Sequence, residues 1–72
     1  MARSKVHEYL VDGMTEQNAE VIRKGLDALS AVDQVWVNPR QNLVRVRAKG
    51  DVTEQLQIAC DIAKARFRTK VS

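Results

Sequence analysis

Three side chains with oxygen donors lie close together early in the chain, where an alternating apolar pattern changes to a helical one. They are Asp12, Glu16 and Asn18, within the segment Asp12-Gly13-Met14-Thr15-Glu16-Gln17-Asn18-Ala19. Carboxylate and amide oxygens are hard ligands, and they hold soft ions such as Cu(I) poorly. These residues therefore predict at most a weak, exposed site for a hard or borderline cation.

Soft metal ligands are scarce in this sequence. It contains one cysteine, Cys60, and one histidine, His7, which together fall two ligands short of a closed zinc site. We expect Cys60 to be a half-buried small hydrophobe on the second helix and His7 a partly exposed strand residue. Met14 is expected in the core rather than at a metal. No Ser-His-Asp set and no glycine-rich phosphate loop occurs, so the sequence predicts no enzyme and no certain cofactor.

A second group of side chains, Trp36, Arg45 and Arg47, is expected on one face of a sheet. An aromatic residue beside cations is compatible with base stacking, as in RNA-recognition domains. Their signature needs aromatic residues on the central strands, and the strand at 43–48 has none. Nucleic acid is therefore the less favoured partner, and a protein contact, including self-association, is favoured over it.

The composition describes a small globular domain. The 72 residues are 44% hydrophobic and 29% charged, with a net charge of +3 and a pI near 9.4. Arg66, Arg68 and Lys70 lie in the last seven residues, which contain no acid; solvated surface charge is the favoured interpretation and an anionic partner the alternative. No apolar stretch reaches the length of a signal peptide or membrane span, so we expect a cytoplasmic domain over residues 1–72 without membrane contact.

The apolar spacing predicts four strands and two helices. We place strands at roughly 5–11, 34–37, 43–48 and 67–71, and helices at roughly 16–30 and 52–65. A turn is expected at Asn38-Pro39-Arg40-Gln41-Asn42. Because each β-α-β crossover is right-handed, both helices should lie on one face of a four-stranded antiparallel sheet, giving an α+β, ferredoxin-like βαββαβ sandwich.

The predicted core consists of the apolar side chains that these periods bring to the helix-covered face. They are Tyr9, Val11, Met14, Ile22, Leu26, Leu29, Val32, Val35, Val37, Val44, Val46, Leu56, Ala59, Ile62 and Phe67. The other sheet face should expose Glu8, Leu10, Trp36, Leu43, Arg45 and Arg47 to solvent.

Several phrases of the chain resemble the heavy-metal-associated domain family, which includes copper chaperones. They are Val11-Asp12-Gly13-Met14-Thr15, the helix end from Leu26 to Val32, Val35-Trp36-Val37-Asn38, Val52-Thr53 and Ile62-Ala63-Lys64-Ala65-Arg66-Phe67. The resemblance covers nearly the whole chain. It implies the ferredoxin-like fold and the task of holding a soft metal and passing it to a partner, such as a domain of a metal-transport ATPase.

The family's Cys-x-x-Cys pair is replaced in this chain. Counting forward from Gly13 places the two cysteine positions at Glu16 and Ala19, whereas counting back from the helix places them at Thr15 and Asn18. Neither alternative supplies a thiolate, and oxygen ligands do not substitute for a sulfur pair on Cu(I). The resemblance therefore implies a degenerate member of the metal transport and chaperone family. It is either an atypical metal binder or a pseudo-domain that acts through protein contacts.

Arg66 stands where the family has a glycine, in a loop that in the family lies beside the metal loop. A guanidinium there would repel a cation, so we hypothesise an ion pair between Glu16 and Arg66 in place of a metal. An exposed pair of this kind contributes about 0–1 kcal/mol. The alternative function is a nucleic-acid-binding or regulatory module that uses the sheet face around Trp36, Arg45 and Arg47.

Overall fold

The computed structural model describes residues 3–71 and has the predicted βαββαβ order. The elements are β1 (Lys5–Asp12), α1 (Glu16–Asp27), β2 (Val32–Asn38), a 3-10 turn (Pro39–Gln41), β3 (Leu43–Ala48), α2 (Thr53–Ala63) and β4 (Arg66–Lys70). The strands form one sheet in the order β2-β3-β1-β4, and each neighbouring pair is antiparallel. The ferredoxin-like fold class is thus confirmed. None of the helices in this part of the chain is both long and apolar enough to cross a membrane.

Local chemistry explains the hairpin between β2 and β3. The side chain of Asn38 accepts a hydrogen bond from the backbone N–H of Arg40 at 3.1 Å, and Pro39 begins the 3-10 turn. Asn42 then takes a left-handed conformation, with φ at 52°, which asparagine tolerates better than most residues. The turn predicted at residues 38–42 is confirmed, and it brings Trp36 opposite Arg45 in the sheet.

The core fills the space between the sheet and the two helices. Its buried members are Tyr9, Val11, Met14, Ala19, Ile22, Leu26, Val32, Val44, Val46, Ala48, Val52, Leu56, Ala59 and Cys60. A second set packs partly buried against them: Leu29, Val35, Val37, Ala63, Ala65 and Phe67. Burial of this apolar surface stabilises the fold, at about 25 cal/mol per Å² removed from water.

One predicted core residue is misplaced. Ile62 is 70% exposed, whereas Cys60, expected to be half-buried, is 1% exposed. At 100° per residue, Ile62 lies roughly 120° around α2 from Leu56, whereas Cys60 lies about 40° away. The inward stripe of α2 therefore passes through Leu56 and Cys60 and leaves Ile62 outside.

Both helices end earlier than predicted. α1 stops at Asp27, where the amide of Ala28 bonds to the carbonyl of Lys24 and closes the last turn. α2 stops at Ala63 because Lys64 takes a left-handed conformation with φ at 63°. The amide of Ala65 then bonds back to the carbonyl of Cys60 at 2.9 Å.

Candidate functional site

The loop between β1 and α1 holds the three predicted oxygen ligands. Gly13 has φ at 72°, a left-handed conformation that glycine adopts without the steric cost of a side chain. The chain turns there, and Met14 packs beneath the loop with 8% of its surface exposed, as predicted. Thr15 follows in an extended conformation and caps the first turn of α1.

Thr15 and Asn18 form a capping box. The backbone N–H of Thr15 donates to Oδ1 of Asn18 at 2.6 Å, and the backbone N–H of Asn18 donates to Oγ1 of Thr15 at 3.2 Å. The side-chain amide of Asn18 also donates to the carbonyl of Gly13 at 2.9 Å. Asn18 therefore ties the loop to the helix through both ends of its side-chain amide.

These bonds make the loop a poor fit for the soft metal that the family resemblance implies. Thr15 and Asn18 contact each other, but neither has sulfur, and the Asn18 oxygen is already an acceptor. Ala19 packs in the core and offers no donor atom. Glu16 is exposed in the first turn of α1, where a carboxylate is favoured by the helix dipole without any metal.

Asp12, the third predicted ligand, lies near the positively charged side chain of Arg68. The carboxylate of Asp12 lies 3.9 Å from the guanidinium of Arg68. Among residues 3–71, no three His, Cys, Asp or Glu side chains are grouped so that they could hold a metal ion. Asp12, Glu16 and Asn18 thus share the loop but do not form a common coordination sphere.

The hypothesised ion pair between Glu16 and Arg66 is not formed. The β1–β4 register places Arg66 opposite Asp12, and its side chain lines a different depression, together with Gln57 and Asp61. Lys64, which follows the end of α2, is among the residues that line a depression together with Thr15 and Asn18. Sequence reasoning missed Lys64, because a left-handed helix end is normally signalled by glycine and the predicted helix ran on through residue 65.

A groove between the two helices is lined almost entirely by apolar surface. We call it the interhelix groove; its volume is about 290 Å³ and its lining residues are Val21, Gly25, Leu29, Gln55, Ile58, Ala59 and Ile62. Val21, Ile58 and Ile62 are 43%, 59% and 70% exposed. Val21 and Ile62 also line the depression beside Thr15 and Asn18, so the groove continues to the loop.

The open sheet face holds the predicted interaction residues Trp36, Arg45 and Arg47. Trp36 is 46% exposed and lines a depression of about 350 Å³ with Asn38, Gln41, Leu43 and Arg45, among others. The guanidinium of Arg45 points away to Glu8, at 3.5 Å. The cation–aromatic contact that the described residues do show is elsewhere, with Lys70 6.0 Å from the centre of the Tyr9 ring.

Charge is divided between the two layers. The four strands carry six basic and three acidic side chains, whereas the two helices carry two basic and five acidic ones. The sheet layer is therefore net positive and the helix layer net negative. The interhelix groove lies in the negative layer.

His7 and Cys60 do not form a site. Burial raises the pKa of the Cys60 thiol to about 11, and the neighbouring Asp61 carboxylate acts in the same direction. The thiol is therefore protonated at neutral pH and unsuited to metal binding. Nε2 of His7 is buried and has no hydrogen-bond partner in the described chain.

Comparisons with known proteins agree with this fold. No protein-family profile matches the chain, and no curated protein matches it by sequence. Two solved structures of the N-terminal domain of ZntA are similar to it. The apo form has a TM-score of 0.80, 24% identity and 92% coverage of each chain. The Zn(II) form has a TM-score of 0.75, 25% identity and 89% coverage of each chain. The chain has the fold of the heavy-metal-associated domains, and the resemblance stated from its sequence is confirmed at that level.

Proposed function

We propose that this chain is a heavy-metal-associated-like domain that does not carry a soft metal and acts through protein contacts. The observation that supports it most is the capping box of Thr15 and Asn18. These two side chains bind each other and the backbone at one of the two positions where the family resemblance places the cysteine pair.

The energetics of the loop favour this proposal over an atypical metal site. A metal ion that bound the Asn18 oxygen would compete with the backbone N–H of Thr15, which already donates to that oxygen at 2.6 Å. Glu16 and Asp12 remain as carboxylate ligands, which suit hard cations and bind soft ones weakly. Any metal ion that binds here is therefore bound weakly and exchanges easily.

Apolar exposure beside the loop supports the protein-contact part of the proposal. Val21 and Ile62 border the loop depression and are both well exposed, and Lys64 lies at its rim. Exposed apolar side chains grouped in one place are typical of interaction surfaces. Lys64 is also a non-glycine residue in a left-handed conformation, an arrangement that is enriched at functional positions.

A metal titration of the reduced protein, followed by NMR amide shifts, tests the proposal. With Cu(I) or Zn(II), we expect no saturable shifts confined to residues 12–19 and 62–66. Saturable shifts there would overturn the proposal and show that the loop still binds metal through other ligands.

Two double variants provide matched positive controls. Thr15→Cys with Asn18→Cys places thiols at side chains that already contact each other, so we expect it to bind Cu(I) and Zn(II). Glu16→Cys with Ala19→Cys places its second thiol in the core, so we expect weaker binding. Binding by the first variant alone would show that the loop has the right shape and lacks the ligands.

A second candidate function is supported by the positive sheet layer. An anionic chain such as single-stranded nucleic acid could place a base on Trp36 and a phosphate on Arg47, whose side chain is exposed. Two features of the face weaken this candidate, because Arg45 is paired with Glu8 and no second aromatic residue is exposed on β3.

The fluorescence of Trp36, the only tryptophan, reports directly on this second candidate. Titration with an oligothymidylate at low salt should quench it if the sheet face binds nucleic acid, and Arg47→Glu together with added salt should abolish the quench. An unchanged emission spectrum throughout the titration would remove this candidate.

A further inference from the structure

The interhelix groove contains a row of apolar side chains without a partner in the described chain. Gly25 and Ala59 form its floor, and a Cβ atom at Gly25 would lie 3.8 Å from that of Ala59. Small residues therefore let the two helices approach closely, and Val21 and Ile58 stand at the walls. Exposing two isoleucines and a valine together is costly for a domain of only 72 residues.

We propose that the occupant of the interhelix groove is a second copy of this chain, in a two-fold symmetric dimer. The inference deepens the proposed function and rests on it, because it names the partner of the protein contact. A two-fold axis that runs parallel to the helices places α1 of one copy over α2 of the other. Each copy then covers the exposed Ile58 and Ile62 of its partner with the face of α1 that contains Val21 and Gly25.

The two helix layers that meet under this symmetry are each net negative, and Lys24 of α1 is the basic side chain that offsets part of this charge beside the groove. On α1, Lys24 follows Val21 by three residues and so lies on the same outer face. On α2, Glu54 and Asp61 lie four residues before and three after Ile58, again on the outer face. Lys24 of one copy is therefore brought to α2 of the other, which carries two acids and no base.

Lys24 and Asp61 also lie at similar levels along the helix axes. Gly25 lies beside Ala59 in the same copy, so Lys24 is level with the middle of α2. Rotation about an axis parallel to the helices keeps that level, which places Lys24 within the turn that leads to Asp61. Glu20 lies four residues before Lys24 on the same side of α1, and its carboxylate is paired with Arg23.

The available area is sufficient for a dimer of modest affinity. A stable interface buries about 800 Å² on each partner, which is roughly one sixth of the 4939 Å² surface of this chain. The molecule measures 36 × 22 × 17 Å, so one broad face has a footprint of that order. The apolar centre with a charged rim is the arrangement expected of such interfaces.

A head-to-tail arrangement is the main competitor. The negative helix layer of one copy could pack on the positive sheet layer of the next, which would continue into longer assemblies. The groove argues against it, because an apolar cleft is best filled by apolar side chains, and the sheet face presents Trp36 among arginines.

Sedimentation equilibrium of the reduced protein tests the dimer. The mass should rise with concentration from 8.1 kDa to twice that value and stop there, at protein concentrations up to about 1 mM. A mass of 8.1 kDa throughout would overturn the inference. A mass that passes the dimer value and keeps rising would overturn it in favour of the head-to-tail assembly.

Variants at the groove and rim identify the surface. Ile62→Glu should weaken dimerisation at least tenfold, because it places a carboxylate in the apolar contact. Lys24→Glu and Asp61→Lys should each weaken it, and the two together should restore it. Arg47→Glu on the sheet face is the matched control and should leave the dimer unchanged; a loss there would contradict the groove assignment.

The metal titration and the sedimentation experiment can fail separately. A dimer that also binds Cu(I) at residues 12–19 would overturn the proposed loss of metal handling and leave the groove assignment intact. A monomer that binds no metal would leave the proposed function in place with a different protein as its partner.

Discussion

The loop before α1 and the interhelix groove share the residues Val21 and Ile62 at their border, yet they differ in how well the chain satisfies them. In the loop, Thr15 and Asn18 bind each other and Asn18 also binds Gly13, so these two side chains have partners within the chain. In the groove, Ile58 and Ile62 have most of their surface in water. In the loop, where the family resemblance places the metal ligands, the side chains bond to each other. In the adjacent interhelix groove, the apolar side chains face water.

This difference separates the features that hold the fold together from those that are free to act on another molecule. A capping box stabilises the start of a helix, and it does so by occupying the donors and acceptors that a ligand would need. An exposed apolar groove contributes nothing to the stability of one copy and gains free energy only when something covers it. We therefore expect mutations in the loop to change folding and mutations in the groove to change association.

The largest difference in the free energy of unfolding should be between substitutions on the buried side and on the exposed side of α2. Leu56 is fully buried, so Leu56→Ala should lower the free energy of unfolding by about 2–5 kcal/mol. Ile62→Ala should change it by less than about 0.5 kcal/mol in dilute solution, where the dimer is dissociated. Urea unfolding followed by circular dichroism measures both. Equal costs would mean that Ile62 is packed after all and that the groove is not open.

The inner side of α2 should also respond to pH through Cys60. Because the pKa of this thiol rises from an ordinary 9.0 to about 11 on folding, the folded chain keeps the proton longer than the unfolded chain does. The contribution of the protonated thiol to stability is therefore present below pH 9 and is lost as the pH rises through 11, where the loss has reached about 2 kcal/mol.

A cysteine-free variant isolates this effect from the titration of lysine and tyrosine. Cys60→Ala is less stable at every pH because it leaves a cavity, but its stability should decline less between pH 9 and 11. Parallel curves for the two proteins would show that the thiol does not cause the decline. The inner face of α2 would then be more accessible to water than the structure indicates.

The sequence predicted the sheet better than the helix ends or the site. Strict alternation at residues 43–48 and the Asn38-Pro39 turn depend on neighbouring residues, and both are confirmed. Ile62 was misplaced because Ala59, Cys60 and Ala63 are small, so spacing alone did not fix which side of α2 faces the sheet. The contact between Cβ positions at Gly25 and Ala59 involves both helices, and no single segment carries that information.

The candidate site shows the same limit. The absence of cysteine at either register was visible in the sequence, and the residue types gave Asp12, Glu16 and Asn18 as oxygen donors. Whether donors are free depends on hydrogen bonds that form only after folding, and the box between Thr15 and Asn18 uses asparagine where glutamate or glutamine is usual. The Glu16–Arg66 hypothesis failed for a related reason, because the position of β4 is set by its pairing with β1.

In the loop, Asn18→Ala tests how much the capping box contributes to the stability of the fold. This change removes the acceptor for the Thr15 amide and the donor to Gly13, so the free energy of unfolding should fall by about 1–2 kcal/mol. Adding Thr15→Ala should cost less than the same change alone, since both residues belong to one hydrogen-bonded unit. A double-mutant cycle by urea unfolding measures this coupling, and fully additive costs would show that the two residues act independently.

The smallest changes in stability should come from alanine at the glycine of each region, Gly13 in the loop and Gly25 in the groove. The two changes should have opposite signs. Gly13 has a positive φ, so Gly13→Ala should destabilise the chain by about 1 kcal/mol even though the space around it is open. Gly25 lies in a regular helix, and a Cβ there makes an ordinary contact with Ala59, so Gly25→Ala should stabilise the chain by about 0.5–1 kcal/mol. Thermal unfolding of both variants in dilute solution measures the pair. If Gly25→Ala were destabilising as well, the distance from the new Cβ atom to that of Ala59 would have to be shorter than 3.8 Å. The two helices would then lie closer together, and the groove would be shallower than its lining residues indicate.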